Sequence, residues 1–270
     1  MKPPRISIVT ISFNQAEYLR AAIDSVLGQG YPNLQYIVVD PGSTDGSREI
    51  IDSYAERISV KVFEPDRGPG DGLNKGFARA DGEIYGYLNA DDVLLPGALH
   101  TVVEAFARRP DVDVISGHCQ IIDGRGQVLR ESYSDPFRPN RVLHRAANLM
   151  QPSTFFRRRA FNRTSGFNVA NRLDWDTELF VDMYAQGAKF ARCDAMLSGY
   201  RLHTTTVTAQ RRNSLILAQD WRKLLEAKLG RAWAWYDHLL RWGYLVLKYL
   251  GNPRWVRERL LRGRVAGRSG

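Results

Sequence analysis

The 270-residue chain has little cysteine and no recognisable export signal. Its two cysteines, Cys119 and Cys193, lie far apart and form no CxxC pair, so a disulfide framework is excluded and a reducing compartment fits best. The N-terminal Met1-Lys2-Pro3-Pro4 is followed at once by a strand-like run, which leaves no room for the regions of a signal peptide. We therefore expect a cytoplasmic protein.

Two common phosphate-binding signatures are also missing. No GxGxxG follows the first predicted strand, and no GxxxxGK[ST] occurs anywhere in the chain. These glycine-rich loops provide the backbone that holds phosphates in dinucleotide-binding Rossmann enzymes and in P-loop NTPases. Both classes are therefore disfavoured, and any phosphate must be bound in another way.

Net positive charge is absent from most of the chain, although the whole chain carries a net charge of +9. From Arg211 onward there are fourteen Lys and Arg against four acids, whereas residues 1–210 are close to neutral. No nucleic-acid-binding module is recognisable in this basic tail, so no nucleic-acid partner is expected.

The apolar segment Trp233–Leu250 is too rich in ionisable groups to predict a membrane span, because it carries Asp237, His238, Arg241 and Lys248. Two interpretations remain open. Residues 231–270 form either a basic amphipathic helix at an anionic membrane surface, which would make the protein peripheral, or a helix packed on the main domain with a solvated tail.

The hydrophobic pattern of the first 115 residues alternates strands with helices. Repeated βα units of this length predict an α/β fold with a mostly parallel sheet. The DRGPGDG segment at 66–72 is too rich in Gly and Pro to extend a strand and is predicted as a loop, and Asn14 with Glu17 resembles a capping box. The predicted strands are Ile6–Ile11, Gln35–Asp40, Val60–Phe63, Ile84–Leu88 and Val112–Ser116.

The pattern changes after residue 117. A hairpin is predicted from Cys119–Ile122, a turn at 123–126 and Val128–Glu131. Helices are then predicted over 174–187, 214–229 and 233–250, and an extended segment over 190–201.

Acidic residues follow three successive predicted strands, at Asp40, Asp66 and Asp91. Ligands of open parallel sheets bind outside the carboxyl ends of the strands, so three acids there favour a binding site over three separate caps or turns. The pair Asp91-Asp92 has the chemistry to hold Mg²⁺ or Mn²⁺ whose other positions take phosphate oxygens. A nucleotide-diphosphate leaving group needs this arrangement.

Several spaced motifs together resemble the GT-A-fold glycosyltransferases of family 2, over roughly residues 5–205. The motifs are TISFN, VVDPGSTDGS, EPDRGPGDGLNKGFARADGE, LNADD, QPSTFFRRRAF, LDWDTELF and YRLH. The resemblance implies a Rossmann-like, mostly parallel central sheet flanked by helices, with a C-terminal helical extension. It divides the chain into a GT-A domain at 1–208, with a nucleotide-sugar half at 1–116 and an acceptor half at 117–208, and a basic helical extension at 209–270.

The resemblance also assigns a donor site. Asp40 would accept a hydrogen bond from the base, and Lys75 would supply positive charge to phosphate or sugar. The nucleotide-sugar-binding residues implied are Thr10, Ser12, Asn14, Asp40, Asp66, Arg67, Lys75, Asn89 and Asp91. The chain departs from the family pattern at two points: Asn89 replaces the first acid of the DxD box, and Pro41 replaces an acid after Asp40.

For the metal and the chemistry, the resemblance implies three further positions. Asp91 would be the carboxylate ligand of Mn²⁺ or Mg²⁺, and His203 would complete the metal shell. Asp174 would take the proton from the acceptor hydroxyl, with Asp176 of the same DWD triplet as the rival base. Asp174 also suits a helix N-cap, and the two roles are compatible.

These expectations define a metal-dependent inverting glycosyltransferase for polysaccharide or cell-surface glycan synthesis. Its partners would be a nucleotide-diphosphate sugar donor and a glycan or lipid-linked acceptor. The alternative is a non-catalytic nucleotide-sugar-binding or scaffold member of the same fold, which the loss of an acid at Asn89 favours. A nucleotidyltransferase ranks third, because its glycine-rich N-terminal phosphate loop is absent.

Overall fold

The computed structural model describes residues 2–171, 174–203 and 215–262. The strands are β1 Ile6–Ile11, β2 Leu34–Val39, β3 Val60–Val62, β4 Ile84–Asn89, β5 Val93–Leu94, β6 Val114–Ile122, β7 Val128–Ser132, β8 Thr154–Arg157 and β9 Phe190–Arg201. The helices are α1 Ala16–Leu27, α2 Ser47–Ser53, α3 Pro69–Phe77, α4 Ala98–Arg108, α5 Pro139–Leu143, α6 Arg158–Phe161, α7 Trp175–Ala185, α8 Leu215–Leu229, α9 Trp235–Gly251 and α10 Pro253–Arg262.

One sheet organises the described chain, with strand order β3-β2-β1-β4-β8-β6-β9-β5 and β7 paired to β6. Strands β3, β2, β1 and β4 are parallel neighbours, and β6 and β9 run in the same direction as these four. Six of the nine described strands thus share one direction. This confirms an α/β fold with a mostly parallel central sheet flanked by helices.

Two hydrophobic layers cover the faces of the sheet. Leu19 and Ile23 of α1 pack with Leu99 of α4 on one face, and Phe77 of α3 packs with Leu179 of α7 on the other. The β-branched run of β1 is buried almost throughout, as expected for a central parallel strand covered on both faces.

Helix α3 begins at Pro69, inside the segment predicted as a loop, so that part of the prediction was wrong. Proline is favoured at a first helical position, where the missing N–H costs nothing. Glycine is required further along because the helix lies very close to the sheet. A Cβ at Gly76 would lie 2.5 Å from a methyl carbon of Val9, and one at Gly72 would lie 2.8 Å from an Asp66 oxygen. Tertiary packing therefore overrides the low helix propensity of these glycines.

The start of α1 also differs from the predicted capping box. Asn14 has φ 52° and precedes the helix, whose N-cap residue Gln15 makes no side-chain cap hydrogen bond. The N–H of Ala16 instead donates to Asp45 at 2.8 Å, and the N–H of Gln15 donates to Ser47. The helix is capped by the loop before α2 rather than by its own sequence.

The second half confirms the predicted hairpin, with a longer first arm. The predicted strand ending at Ser116 and the arm beginning at Cys119 are one continuous strand, β6, whose pairing with β9 shifts register beside His118. The short strands β5 and β8 were not predicted, because runs of two and four residues carry no periodicity of their own.

The C-terminal helices pack on the segment that follows β7. Leu225 of α8 contacts Leu143 and Val181 in a small apolar cluster, and Trp221 donates from Nε1 to the Leu143 carbonyl at 3.0 Å. Among the described residues, no helix has both the length and the apolar content needed to cross a bilayer.

Candidate functional site

The acidic residues predicted at strand ends gather along one edge of the sheet. Asp40 follows β2, Asp66 follows β3 within a few residues, and Asp91 follows β4. Because β1 to β4 are parallel neighbours, their carboxyl ends meet on the same side.

Asp40 is fully buried and organises the loop after β2. One carboxylate oxygen accepts the backbone N–H groups of Gly42 and Ser43 at 3.0 and 2.8 Å, and the Ser43 hydroxyl donates to the other at 2.5 Å. Arg48 Nε donates to the first oxygen at 3.1 Å. These hydrogen bonds fix the carboxylate at the strand end.

The three candidate residues after β1 have different surroundings. The Thr10 hydroxyl lies in the core and accepts from the Tyr36 hydroxyl at 3.0 Å. Ser12 is also buried, but its hydroxyl has no hydrogen-bond partner among the described residues, which leaves it available to a ligand. Asn14 links the strand end to the loop after β2, since its Oδ1 accepts the Thr44 N–H at 2.9 Å and its N–H donates to Ser43.

Asp66 and Lys75 lie at the edge formed by β3 and α3. Burial raises the pKa of Asp66, and its Oδ1 accepts the Gly68 N–H at 2.8 Å. Lys75 Nζ donates to the Pro65 carbonyl and lies 3.2 Å from Asp71. Arg67 is the exposed member of the group, with a side chain 75% accessible. The arrangement brings positive charge next to the strand-end acids.

Asn89, the last residue of β4, belongs to a network of hydrogen bonds. Its Nδ2 donates to Gln151 Oε1 at 3.3 Å, and Gln151 Nε2 donates to the Tyr87 carbonyl at 3.1 Å. The amide therefore takes part in a neutral hydrogen-bond network. The sugar or ribose contact of Asn89 stays a prediction.

Asp91 and His203 form one of the contacts between the two halves of the chain. His203 Nε2 lies 3.1 Å from Asp91 Oδ2, and the imidazole packs on Tyr18 with ring centroids 4.5 Å apart. Their side chains are 18% and 7% exposed, so the pair is largely removed from bulk water. His203 lies two residues after the end of β9. It reaches Asp91 because β9 pairs with β5, which begins two residues after Asp91.

Asp92 points away from this pair into the protein. Its Oδ1 accepts the Arg201 N–H at 2.9 Å, while Oδ2 is buried without a hydrogen-bond partner among the described residues. Burial and the adjacent charge of Asp91 raise the pKa of Asp92 well above its ordinary value. Arg201 also donates to the Asp91 carbonyl at 2.7 Å and stacks over Tyr18, which holds the turn in place.

The donor set at this point fits a divalent metal ion. A carboxylate oxygen and an imidazole nitrogen already converge, and both are common ligands of Mn²⁺. Within the described ranges no group of three or more His, Cys, Asp and Glu side chains is arranged to hold a metal by itself. A two-residue site leaves coordination positions for phosphate oxygens, which is how Mg²⁺ and Mn²⁺ are usually bound beside nucleotides.

Asp174 is the N-cap residue of α7, but its side chain makes no cap hydrogen bond to that helix. The guanidinium of Arg145 lies 3.9 Å from its Oδ2. Arg145 has φ 52° and stacks over Trp221 at 4.3 Å, and burial lowers its pKa slightly from the usual arginine value. Arg145 thus holds a positive charge against a partly exposed carboxylate.

Asp176 lies one position inside the helix and is more enclosed. Its Oδ1 accepts the Thr177 N–H at 2.6 Å, and burial, reinforced by the charge of Asp174, raises the pKa of Asp176 to about 6. Trp175 between the two acids packs on Tyr87, with ring centroids 5.6 Å apart. The triplet is therefore anchored next to the strand that leads to Asn89.

The structure adds four residues that sequence reasoning missed: Tyr87, Arg145, Gln151 and Arg201. Gln151 and Arg201 lie inside the motifs QPSTFFRRRAF and YRLH, so their motif membership was the only available signal. Arg145 lies in a stretch with no motif, and its position depends on Trp221, 76 residues away.

Comparisons with known proteins identify the family of the chain and agree with its fold. The family model for glycosyl transferase family 2 matches residues 7–165. An uncharacterized glycosyltransferase of Nostoc sp. is 38% identical over 131 residues, which cover 47% of this chain and 40% of that protein. The putative teichuronic acid biosynthesis glycosyltransferase TuaG of Bacillus subtilis is 38% identical over 92 residues, covering 33% of this chain and 36% of that protein. The matched regions thus span 40% or less of these relatives.

Solved structures show the same fold at low identity. The S. aureus TarS 1-349 structure in complex with UDP-GlcNAc matches 97% of this chain and 76% of its own, with a TM-score of 0.68 and 16% identity. The mannosyltransferase PcManGT from Pyrobaculum calidifontis, in complex with GDP-Man and Mn²⁺, matches 96% and 74% with a TM-score of 0.64 and 20% identity. With more than half of its length matched by the family model, the chain belongs to glycosyl transferase family 2.

Proposed function

We propose that the protein transfers a sugar, with inversion, from a nucleotide-diphosphate sugar to a glycan or lipid-linked acceptor in polysaccharide or cell-surface glycan synthesis. The observation that carries the proposal is the Asp91–His203 pair, 3.1 Å apart at the edge where Asp40, Asp66 and Ser12 also lie. An edge with carboxylates, a nearby lysine and a buried hydroxyl without a hydrogen-bond partner among the described residues has the groups needed to bind a nucleotide, a sugar and a diphosphate.

Asp91 and His203 would hold a divalent cation, Mn²⁺ or Mg²⁺, and Asn89 would contact the sugar or ribose. When bound, the cation supplies a Lewis acid that neutralises the negative charge developing on the diphosphate. Mn²⁺ in the PcManGT structure supports a divalent metal as the cofactor. Lys75 adds a further positive charge close to the diphosphate.

Asp174 acts as the general base in this proposal. It accepts the proton of the acceptor hydroxyl while that oxygen forms a bond to the anomeric carbon, and the bond from that carbon to the diphosphate oxygen breaks on the opposite face. Attack opposite the leaving group inverts the configuration. Arg145, with its guanidinium 3.9 Å away, places a positive charge beside this carboxylate. Asp176 stays the rival base.

The proposed division of the chain follows from these roles. Residues 1–116 bind the nucleotide-sugar and residues 117–208 bind the acceptor, which together form a GT-A domain, and residues 209–270 form a helical extension. The proposed partners are the sugar donor, the acceptor and, through residues 231–270, an anionic membrane surface.

The test is a calorimetric titration of the full chain with UDP, GDP, CDP and dTDP, each with and without Mn²⁺. We expect one nucleotide to bind at least tenfold more tightly with the metal. Failure of all four nucleotides to bind in either condition would contradict the proposed donor site.

One observation favours the alternative of a non-catalytic nucleotide-sugar-binding or scaffold member. Asn89 stands where the family has an acid, and its amide is engaged with Gln151. Such a member would bind a nucleotide in the titration without releasing it from the matching nucleotide-sugar. Release of nucleoside diphosphate, which rises when a glycan acceptor is added, would exclude this alternative.

A further inference from the structure

Helix α9 buries charged residues and exposes apolar ones, which is the reverse of an ordinary surface helix. Two of its three charged residues, Asp237 and Lys248, are buried, with 0% and 7% exposure, and the third, Arg241, is exposed. Its largest apolar residues are exposed instead, with Trp235 at 76% and Trp242 at 69%. A helix that packs on a domain normally buries its apolar stripe, so this orientation needs a cause.

Two buried polar clusters set the rotation of the helix. The Asp237 carboxylate accepts two hydrogen bonds of 2.7 Å from Arg231 and lies 3.1 Å from His144 Nε2. Nearly three turns further along, Lys248 Nζ lies 3.3 Å from Asp135 Oδ2. Breaking either pair would leave a charge buried without its partner, so both resist rotation of the helix about its axis.

The opposite side of α9 is continuous and apolar. At 3.6 residues per turn, Trp235, Leu239, Trp242, Val246 and Leu250 fall on one stripe, which we call the outer face. All five are exposed, by 54% or more. The charged residues of the helix lie on the other side, so the outer face contains no charge.

Helix α10 extends this surface and adds basic residues. Leu260 and Leu261 are 80% and 68% exposed, and they line a groove together with Tyr249 and Arg257. Residues 231–262 contain seven Lys and Arg against two acids. Of these, Arg231 and Lys248 are engaged in the two buried pairs, whereas Arg257 is exposed and lines the groove beside Leu260 and Leu261. Positive charge therefore borders the apolar surface on the side of α10.

This combination matches a lipid surface with anionic headgroups better than it matches protein. Trp and Leu on an uncharged face with arginines at the border are the composition of helices that lie in the headgroup region of a bilayer. A second copy of the chain docked face to face would bring the basic borders together, which is unfavourable. Since no described helix is suited to cross a bilayer, the contact would lie in the plane of the membrane.

We propose that the outer face of α9, with Leu260 and Leu261, inserts into the headgroup region of an anionic bilayer. The proposal specifies which surface of the protein contacts the membrane and how α9 is oriented there. Asp135 and His144, which fix the helix, belong to the same segment as Arg145, the residue beside Asp174. The segment that holds the outer face of α9 in position therefore also contains a residue beside the proposed base, Asp174. The lipid contact deepens the membrane partner named in the proposed function, and its link to the acceptor side rests on that function.

Vesicle co-sedimentation of the full chain tests the contact. The vesicles contain phosphatidylcholine alone or with phosphatidylglycerol, at low and high salt. We expect binding to the anionic vesicles that weakens with salt, and a loss of about tenfold or more in the variant Leu239→Glu/Trp242→Glu. The matched control Ala21→Glu/Ala55→Glu adds the same charge at exposed positions of the first half and should bind like the wild type.

Two outcomes would overturn the proposal. One is equal binding of both double variants. The other is that the wild type binds neither vesicle and forms a dimer, seen by sedimentation velocity, which only the variant Leu239→Glu/Trp242→Glu dissociates. That result would assign the outer face to contact with a second copy of the chain. Vesicle binding needs neither donor nor acceptor, so its failure would leave the transfer proposal standing. Nucleotide titration of the same variants checks that the donor site is intact.

Discussion

His203 Nε2 and Asp91 Oδ2 lie 3.1 Å apart although 112 residues separate them in the chain. The contact depends on the antiparallel pairing of β5 with β9, which brings Gly199 beside Val93, two residues after Asp91. Tyr18 packs against the imidazole from α1 and limits its movement. Three elements from different parts of the sequence thus converge on one pair of donor atoms.

The first prediction concerns this pair. Asp91→Ala should lower nucleotide affinity in Mn²⁺ to the metal-free level, because it removes the carboxylate at the proposed metal position. Calorimetric titration measures the change, and Asp52→Ala, an exposed acid paired with Lys61, serves as the control. Metal-dependent affinity that is unchanged in Asp91→Ala would refute the assignment.

The second prediction separates the two candidate bases. Asp174→Asn should preserve donor binding and lower the transfer rate by roughly 10²–10⁴-fold, since the amide cannot accept the acceptor proton. Asp176→Asn should lower it by less than about tenfold. The measurement is nucleoside diphosphate release with acceptor present. The reverse ranking would make Asp176 the base, and transfer would then increase as pH rises through about 6.

The third prediction follows from the raised pKa of Asp176, about 6 in the folded protein against 3.8 as its ordinary value. The folded state binds this proton more tightly than the unfolded state, so the free energy of unfolding should decrease as pH rises from about 4 to above 6. Asp176→Asn removes this dependence and should stabilise the protein by about 3 kcal/mol at pH 7.5 and by less than about 1 kcal/mol at pH 4.

Urea denaturation at the two pH values measures this effect. Asp174→Asn is the matched control, since its carboxylate has Arg145 beside it and its removal should bring no comparable gain. A pH-independent difference between Asp176→Asn and the wild type would contradict the raised pKa.

The fourth prediction concerns the attachment of α9. Lys248→Met leaves the Asp135 carboxylate buried without its cation and should destabilise the protein by about 3 kcal/mol. Arg254→Met, on the neighbouring helix α10, breaks an exposed pair with Asp194 of β9 and should cost less than about 1 kcal/mol. Denaturation curves give the energies, and limited proteolysis shows whether the C-terminal helices become accessible. Equal costs for the two variants would mean that the buried pair does not fix the helix.

Much of the parallel part of the fold was readable in the sequence. The runs Ile6–Ile11 and Ile84–Asn89 are buried strands. A strand covered on both faces is apolar almost throughout and shows no alternation of apolar and polar residues, so such runs can be recognised in the sequence. The helix start at Pro69 was missed, because Gly70, Gly72 and Gly76 argue against a helix until the sheet beneath them is known. Close approach to Val9 makes glycine necessary at Gly76, and that contact is tertiary.

The sequence by itself determined the fold class, the strand-end acids and the family motifs, because local periodicity and short spacings encode them. The tertiary structure decided which acids have partners and which face of a helix looks outward. Arg145 reaches Asp174 through stacking on Trp221, and α9 exposes its apolar stripe because Asp237 and Lys248 find buried partners. Such pairings depend on contacts between distant segments, and no local pattern of residues specifies them.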